Sequence, residues 1–323
     1  MAGNDNLHMS KSGKQDEFYT QLSTIEDELK HYRPFFKDKV VFCNCDDPTW
    51  SNFWKFFQLN FYFLGLKKLI STHYEPNGKS YKLEIVATSH GDQLTIPDYI
   101  QTPLEGNGDF RSDECLALLN EADIVVTNPP FSLSKEYIPT MMNSGKKFIV
   151  LGNINHVTFK EIFHYIYNHQ LWLGYNSGHF WFRVPDDYEE KATDFKIDEN
   201  GVKWRRMWNI CWYTNFDIEV RHQTLLPYKT YTPEAYPKYD NYDAIHIEKV
   251  EDIPVDYYGI MAVPITYLAS HCEEQFEILG KFDGGSASNP LDLAKPILNG
   301  KAKYKRIAIR RKVDKNGNKT CWI

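Results

Sequence analysis

The stretch that decides the fold is Ala122-Asp-Ile-Val-Val-Thr-Asn-Pro-Pro-Phe131, in which a short apolar run leads directly into one polar residue and two prolines. The run 124–127 has the β-branched composition of a buried strand. Pro129 and Pro130 fix their own φ angles and donate no backbone hydrogen bond, so the chain leaves the strand in a rigid turn. We therefore predict a buried strand and, at its end, a stiff corner that presents Asn128.

On both sides of this corner, apolar runs alternate with helical patterns. The predicted strands are 39–44, 67–71, 81–87 and 146–151, and the predicted helices are 50–59, 112–120, 134–143 and 158–168. Such alternation is typical of an α/β protein with a parallel sheet covered by helices on both faces. In doubly wound sheets, ligands bind beyond the carboxyl ends of the strands, where the strand order reverses. We therefore expect the functional residues in the turns that follow strands.

The composition excludes several classes of protein. The 323 residues carry a net charge of −6, which excludes a uniformly cationic surface and leaves only local basic patches for a polyanionic partner. No apolar run approaches the ~18 residues of a membrane span, and the chain starts without a signal-peptide core. The 6 cysteines lack a C-x-x-C pair and the 11 histidines lack H-E-x-x-H. We predict a cytoplasmic protein with reduced thiols, no membrane contact and no metal.

The corner Asn128-Pro-Pro-Phe131 suits an amine on a planar heterocycle, which is a poor nucleophile because its lone pair is conjugated to the ring. The Asn128 side-chain oxygen and the Pro129 carbonyl can accept its two hydrogens and favour the pyramidal form that attacks. Pro130 keeps the corner rigid, and Phe131 can stack on the ring. With the sulfonium methyl of S-adenosylmethionine held in line, orientation can remove about 7–11 kcal/mol of the barrier. The alternative is that the tetrapeptide only ends a strand.

Turns upstream carry the acidic side chains that such a methyl donor requires. After the first strand, Asn44-Cys-Asp-Asp-Pro48 presents Asp46 and Asp47, which suit the cationic amino group of the donor's methionine part. Asn44 in the same turn is also a candidate cofactor-binding residue. After the second strand, Glu75 can accept hydrogen bonds from ribose hydroxyls. After the third, Asp92 follows a glycine and can accept from the adenine amine. The alternatives are an acidic N-cap for the next helix at either aspartate of the first turn, and a plain turn at Glu75.

The order of these motifs resembles that of a known enzyme family. Asp16-Glu-Phe-Tyr-Thr20, Asn44-Cys-Asp-Asp-Pro48, Gly91-Asp92 and Asn128-Pro-Pro-Phe131 are similar to motifs of the EcoRI-type adenine-N6 DNA methyltransferases of restriction–modification systems. Further similar blocks are Met261-Ala-Val-Pro-Ile-Thr-Tyr267, Gln275-Phe-Glu-Ile-Leu-Gly280 and Arg306-Ile-Ala-Ile-Arg-Arg-Lys312. The resemblance implies a class I methyltransferase fold, a Rossmann-like doubly wound sheet, with S-adenosylmethionine as donor and a flipped-out adenine of duplex DNA as acceptor.

The resemblance also implies roles for particular residues and segments. Phe18 and Tyr19 are expected to close over the cofactor, and Asn128 to Phe131 to hold the target base. One departure is that many amino-methyltransferases have a Gly-rich F-x-G-x-G turn after the first strand, where this chain, like the EcoRI-type group, has Cys-Asp-Asp-Pro.

The domain organisation predicted from the motif order has three parts. Segment 1–35 contributes to the cofactor site, 36–222 is the catalytic domain, and 223–323 is the DNA target-recognition region. The expected partners are double-stranded DNA and a cognate restriction endonuclease that shares the recognition site.

Cationic side chains in the second half of the chain are candidates for phosphate contacts, since a net charge of −6 would otherwise repel a duplex. They are Lys203, Arg205, Arg206, Arg221, Arg310 and Arg311, the last two within the basic run 301–312. The alternative for that run is a solvated edge strand. The target adenine has to leave the duplex to reach Phe131, at a cost of roughly a few kcal/mol.

Other activities fit the sequence less well. Within Pro185-Asp-Asp-Tyr-Glu-Glu-Lys191, two residues separate Asp186 from Glu189, which is too few to bring both carboxylates to one metal of a nuclease. Cytosine carbon methylation needs a nucleophilic cysteine, usually after a proline, and the sequence contains no Pro-Cys pair. The alternatives that remain are the same chemistry on RNA adenine or on protein glutamine, and a catalytically silent nucleic-acid-binding module.

Overall fold

The computed structural model describes residues 19–45, 47–87, 96–284 and 290–313. Phe18, Asp46 and Asp92, together with the side chain of Tyr19, lie outside the described residues, so their predicted cofactor roles stay predictions. The chain divides into two compact units. One comprises the described parts of Met1–Asn153 and Gly174–Phe216, and the other those of Ile154–Leu173 and Asp217–Ile323.

Among the described residues, ten strands form the main sheet. They are β1 (Tyr19–Thr20), β2 (Val40–Cys43), β3 (Lys68–Thr72), β4 (Tyr81–Val86), β5 (Ile100–Pro103), β6 (Ile124–Thr127), β7 (Lys147–Asn153), β8 (Trp172–Arg183), β9 (Phe195–Ile197) and β10 (Lys203–Thr214). Their order is β1-β8-β10-β7-β6-β2-β3-β4-β5, and β9 pairs with β10. Every residue of β2 and β6 is buried, as expected of central strands with both faces covered.

The centre of this sheet is parallel and its flanks are antiparallel. β2 pairs in parallel with β3 on one side and with β6 on the other, and β6 pairs in parallel with β7. β4, β5 and β10 pair with their neighbours in antiparallel fashion. The predicted strands are confirmed, but a wholly parallel sheet is wrong. Only residues 73–80 join β3 to β4, too few for the helical crossover that a parallel pair requires.

Five α-helices lie in the described residues: α1 (Leu22–Leu29), α2 (Asn52–Leu59), α3 (Asp113–Glu121), α4 (Ser134–Ser144) and α5 (Lys160–Tyr167). Local sequence sets several of their ends. Ser51 caps α2 by accepting from the Phe53 N–H at 3.0 Å, and Ser112 caps α3 by accepting from the Cys115 N–H at 3.2 Å. α4 stops at Gly145, whose φ of 68° is left-handed and favours glycine.

The second unit has a sheet of its own. Its described strands are β11 (Ile245–His246), β12 (Met261–Pro264), β13 (Phe276–Phe282), β14 (Asp292–Leu293) and β17 (Arg306–Arg311), in the order β11-β12-β17-β13-β14. A separate pair consists of β15 (Ile297–Leu298) and β16 (Lys301–Ala302). The basic run 301–312 therefore contributes to two strands. Its longer part, β17, is central, so the alternative of a solvated edge strand is wrong for that part, whereas β16 is exposed and pairs with β15.

Candidate active site

The predicted corner follows the last residue of β6 directly. Asn128 is partly buried, with its Oδ1 atom fully covered, and Pro129 is buried. A short 3₁₀ turn, Phe131–Leu133, then leads into α4. The turn is closed by the Leu133 N–H, which donates to the Pro130 carbonyl at 3.0 Å. The sequence prediction of a stiff corner at the carboxyl end of a buried strand is confirmed.

The turn after β2 lies beside this corner. The backbone N–H of Cys45 donates to Thr127 Oγ1 at 3.2 Å, and Thr127 is the neighbour of Asn128 in the chain. On the other side, Thr72 Oγ1 at the end of β3 donates to the Asn44 carbonyl at 3.4 Å. The structure therefore brings the predicted donor turn and the predicted acceptor corner together, at the carboxyl ends of adjacent parallel strands.

Asn44, the first residue of the donor turn, is 3% exposed, and its side-chain amide is buried with it. Its Oδ1 accepts a 2.7 Å hydrogen bond from the hydroxyl of Tyr137 on α4. The Tyr137 ring is fully buried and makes an edge contact with Phe110, with 5.1 Å between the ring centroids. The side-chain oxygen of Asn44 thus has a protein partner on α4, and its role in a cofactor site stays a prediction.

Asp47 belongs to a polar cluster at the ends of β2 and β3. Its Oδ1 accepts from the Thr49 N–H at 2.9 Å, and its Oδ2 lies 3.5 Å from His73 Nε2. The His73 ring stacks on Tyr81, with 5.0 Å between centroids, and the Tyr81 hydroxyl is 2.9 Å from Thr49 Oγ1. Burial, aided by Asp47, raises the pKa of Tyr81. The sequence analysis missed His73 and Tyr81, although His73 lies two residues after the predicted strand 67–71, in the turn where functional residues were expected.

Glu75 lies three residues beyond β3 and is partly buried. Its backbone N–H donates to the Asn107 carbonyl at 2.9 Å, which ties it to the loop before α3. In that loop Gly108 has φ +79°, and a Cβ there would lie 1.9 Å from the His73 carbonyl oxygen. Only glycine fits this close approach, so the loop position and the end of β3 are fixed together.

The N-terminal strand β1 also reaches this side of the sheet. Asn52, the first residue of α2, donates from Nδ2 to the Thr20 carbonyl at 2.7 Å. Thr20 is 4% exposed, and its Oγ1 has no hydrogen-bond partner among the described residues. A buried hydroxyl without a partner costs free energy unless a ligand or water supplies one.

Three of the predicted DNA-binding residues lie on β10. Lys203 Nζ and Arg205 Nη1 each donate to a backbone carbonyl, at 3.0 Å and 3.2 Å. Arg206 pairs with Asp194 through Nη2 at 2.6 Å and lies 4.6 Å from the ring centroid of Trp208, which is 50% exposed. All three side chains are partly exposed, and they lie close together in the first unit.

Arg221, in the second unit, has a different environment. Its guanidinium lies 3.8 Å from the ring centroid of Trp172 and pairs with Asp217 at 2.8 Å and Glu273 at 2.7 Å. Its side chain is 13% exposed. Two carboxylates already neutralise this cation, which favours a structural role.

Arg310 and Arg311 point to opposite faces of β17, as neighbours in a strand do. Arg310 is about half exposed and pairs with Glu277 at 2.5 Å. Arg311 is 3% exposed, donates from Nη2 to the Pro254 carbonyl at 3.0 Å, and lies 4.9 Å from the ring centroid of Phe276. The burial of Arg311 favours a role in the core of this unit rather than on a DNA-binding surface.

Metal-binding clusters and membrane-spanning helices are both absent from the part of the chain that the structure describes. No group of three or more His, Cys, Asp or Glu side chains there could hold a metal ion. No described helix has the length and apolar character that crossing a bilayer requires.

A rigid Asn-Pro-Pro-Phe corner beside an acidic turn, on adjacent parallel strands of an α/β sheet, is the arrangement expected of an amino-group methyltransferase. The model of the family described as adenine-specific methyltransferase EcoRI matches residues 6–319. The chain belongs to this family, and the predicted activity, site-specific methylation of adenine in DNA by a restriction–modification methyltransferase, is confirmed.

Individual relatives are similar over most of their length. The type II methyltransferase M.EcoRI of Escherichia coli is 44% identical over 324 residues, covering 96% of this chain and 98% of that protein. M.MpnI of Mycoplasma pneumoniae is 38% identical over 279 residues, or 84% of each chain. M.MgeORF184P of Mycoplasma genitalium is 36% identical, covering 94% of this chain and 98% of that protein. No solved structure was found to match.

Proposed function

We propose that this chain transfers a methyl group from S-adenosylmethionine to N6 of an adenine flipped out of duplex DNA, with Asn128 to Phe131 as the acceptor site. The observation that carries the proposal is the hydrogen bond from the Cys45 N–H to Thr127 Oγ1. It holds the turn after β2 against the residue that precedes Asn128. A donor bound by that turn and a base bound by the corner are then neighbours.

The order of the central strands supports a class I, Rossmann-like fold. From β2 the chain moves to β3 on one side, and it later returns to β6 on the other side and continues to β7. The connections therefore run in opposite directions from the gap between β2 and β6, which is a topological switch point. Ligands of doubly wound sheets bind at the carboxyl ends of the strands beside such a gap, and both the donor turn and the corner lie there.

The residues at these strand ends fit S-adenosylmethionine, which family membership implies as donor. Asp47 supplies a carboxylate for the ammonium group of the cofactor. Glu75, three residues beyond β3, supplies a carboxylate for the ribose hydroxyls. The buried Thr20 hydroxyl, unpartnered among the described residues, adds a donor that a ligand could satisfy. Asp46, Asp92, Phe18 and Tyr19 complete the proposed set. When bound, the cofactor supplies an activated methyl group, and no metal is required for that chemistry.

The corner supplies the acceptor half of the reaction. Asn128 Oδ1 and the Pro129 carbonyl accept the two hydrogens of the adenine amine, which localises the nitrogen lone pair toward the donor. Pro130 keeps these oxygens rigid, and Phe131, which is partly buried, stacks on the base. Stacking recovers roughly 1–3 kcal/mol of the cost of flipping.

We assign phosphate contacts to Lys203, Arg205, Arg206 and Arg310, which are partly or largely exposed. The environments of Arg221 and Arg311 favour structural roles for them instead. Segment 1–35 contributes to the cofactor site through Phe18, Tyr19 and Thr20, 36–222 is the catalytic domain, and 223–323 is the DNA target-recognition region. A cognate endonuclease that shares the recognition site is the proposed partner, and the cytoplasm is the proposed location.

The test is Asn128→Ala, with exposed Asn143→Ala on α4 as the matched control. Loss of one acceptor for the amine is expected to lower the single-turnover methylation rate by at least about a hundredfold. DNA affinity is expected to stay within about threefold of wild type, and the control variant to methylate normally. Methylation by Asn128→Ala at the wild-type rate contradicts the proposed role of the corner.

The substrate is tested with the same assay. Tritiated S-adenosylmethionine is offered with duplex DNA, with RNA of the same sequence and with a glutamine-containing peptide. Incorporation into duplex DNA as N6-methyladenine is expected, because the family is adenine-specific. Incorporation into RNA alone contradicts DNA as the substrate. Sequencing of the methylated DNA then gives the recognition site, which the sequence does not reveal because base-edge contacts depend on side-chain placement in a groove.

A further inference from the structure

We propose that Tyr137 is a positioning residue that fixes the donor turn, residues 44–47, relative to the acceptor corner. The inference rests on the proposed function, since it concerns how the two halves of that site are held in register. Tyr137 acts on the turn through the hydrogen bond from its hydroxyl to Asn44 Oδ1.

The helix that carries Tyr137 is continuous with the corner. α4 begins at Ser134, directly after the 3₁₀ turn that starts at Phe131. Ser134 Oγ donates to the Phe131 carbonyl at 2.8 Å, which joins the corner to the first turn of the helix. Tyr137 lies one helical turn further on. A displacement of the corner therefore displaces Tyr137, and with it the partner of Asn44.

The donor turn is held from three sides. Tyr137 binds the Asn44 side chain at 2.7 Å, Thr127 Oγ1 accepts from the Cys45 N–H at 3.2 Å, and Thr72 Oγ1 donates to the Asn44 carbonyl at 3.4 Å. The contact from Tyr137 is the shortest of the three. It is also the one that reaches the turn from a helix rather than from a neighbouring strand of the sheet.

The hydroxyl of Tyr137 is not needed to fill the core. Its ring is fully buried, and a phenylalanine would fill the same space and keep the edge contact with Phe110. A buried hydroxyl has to be hydrogen-bonded, and a buried amide oxygen such as that of Asn44 has the same requirement. The pair therefore fixes the orientation of Asn44, which lies at the start of the donor turn, in a water-poor environment.

The experiment compares Tyr137→Phe with Tyr32→Phe. Tyr32 is equally buried, its hydroxyl donates to Glu28 Oε1 at 3.0 Å in the same unit, and its ring makes edge contacts with Tyr175 and Phe216. Affinity for S-adenosylmethionine is measured by titration calorimetry. Loss of one buried hydrogen bond at the turn is expected to weaken cofactor binding about tenfold in Tyr137→Phe. In Tyr32→Phe the affinity is expected to be unchanged, although its unfolding temperature falls.

Two further readouts separate positioning from general destabilisation. The single-turnover methylation rate of Tyr137→Phe, with cofactor and DNA saturating, is expected to fall at least about tenfold, because misplaced reactants lose orientation. DNA affinity is expected to change less than about twofold. In an Asn44→Ala background, Tyr137→Phe is expected to cause no additional loss of cofactor affinity, because its partner atom is absent.

Cofactor affinity within about twofold of wild type for Tyr137→Phe overturns the inference, and so does an equal loss in Tyr32→Phe. Failure of the proposed function is distinguishable from these results. A wild-type protein that binds S-adenosylmethionine but does not methylate adenine contradicts the proposed function alone, while the binding comparison between the two tyrosine variants still decides the role of Tyr137.

Discussion

His271, in the second unit, is a buried residue whose protonation opposes folding. Burial lowers its pKa to about 3. Its Nδ1 is 3.0 Å from the Tyr267 hydroxyl, and its Nε2 has no hydrogen-bond partner among the described residues. The charged and titratable groups around it are His169, Arg221, Glu274, Lys312 and Tyr267. The neutral imidazole is therefore the form that the folded unit accepts.

The pKa of His271 predicts a loss of stability in acid. Because the folded pKa lies below the ordinary value of about 6.5, the unfolded chain takes up a proton first as the pH falls through 6.5 toward 3. Between pH 7 and pH 5 this group alone is expected to remove about 2 kcal/mol from the free energy of unfolding. Urea unfolding of wild type and His271→Gln at both pH values measures the difference. An equal loss in both proteins contradicts the prediction.

Residues of the corner could be predicted from the sequence because the determining features are local. A β-branched run, an asparagine and two prolines fix a strand, its end and a rigid turn within ten positions, and the structure has all three. Tyr137 and His73 could not be predicted in the same way. Tyr137 finds its partner Asn44 93 positions away, and His73 finds Asp47 26 positions earlier, so only the folded sheet brings them together.

The arginines of β17 show a second limit to what the sequence predicts about single residues. The basic run 301–312 predicts positive charge, but it does not predict which face of the sheet each side chain points to. Successive residues of a strand face opposite sides. Arg310 is half exposed whereas Arg311 is buried against Phe276. Because β17 proved to be a central strand, one of two adjacent arginines became part of the core.

At the scale of elements, one carboxylate joins α1 to β8. Glu28 is fully buried and accepts from the Tyr32 hydroxyl, from the backbone N–H groups of Tyr175 and Asn176, and from Asn176 Nδ2. Burial raises the pKa of this carboxyl, and the donors oppose the shift. A Cβ at Gly174 would lie 2.1 Å from Glu28 Oε1, so β8 has a glycine where the carboxylate enters.

Glu28→Ala is therefore expected to cost roughly 2–4 kcal/mol of unfolding free energy, because it leaves buried N–H groups without acceptors. The neighbouring Asp27→Ala is the control. Asp27 is 64% exposed, and its carboxylate forms a surface ion pair with Lys30, itself 56% exposed, so its loss is expected to cost less than about 1 kcal/mol. Urea unfolding measures both variants. A loss for Glu28→Ala as small as that of the control would exclude this anchor.

The pairing direction of the flanking strands is the element-scale feature that the sequence pattern did not predict. Apolar runs at 67–71 and 81–87 identify two strands, but periodicity does not encode whether neighbours run parallel or antiparallel. The length of the connection indicates the direction, because a parallel pair needs a long crossover and an antiparallel pair does not. The interval 73–80 carries no helix, and β4 pairs antiparallel with β3.

For the whole molecule, the distribution of charge decides how DNA can bind. The chain carries a net charge of −6, and three of the six predicted phosphate-binding cations pair with carboxylates. Arg206 pairs with Asp194, Arg221 with two carboxylates, and Arg310 with Glu277. Binding a phosphate then means exchanging an acidic partner for the DNA backbone, which makes the net electrostatic gain smaller than a count of cations suggests.

The salt dependence of DNA affinity tests this reasoning. With four phosphate contacts, a plot of log K against log salt concentration is expected to have a slope of about −4, so that affinity falls about a hundredfold between 50 and 200 mM salt. Arg205→Ala is expected to make the slope shallower by about 1, because its hydrogen-bond partners are carbonyls and it can contact a phosphate without breaking a hydrogen-bonded ion pair. Lys30→Ala directly after α1, which removes an equal charge from a more exposed position outside the proposed set, is expected to leave the slope unchanged. Fluorescence anisotropy of a labelled duplex measures the DNA affinity of all three proteins.

An unchanged slope in Arg205→Ala removes that residue from the DNA-binding surface. An equal change in Lys30→Ala means that the net charge of the chain, rather than a local patch, governs its affinity for DNA.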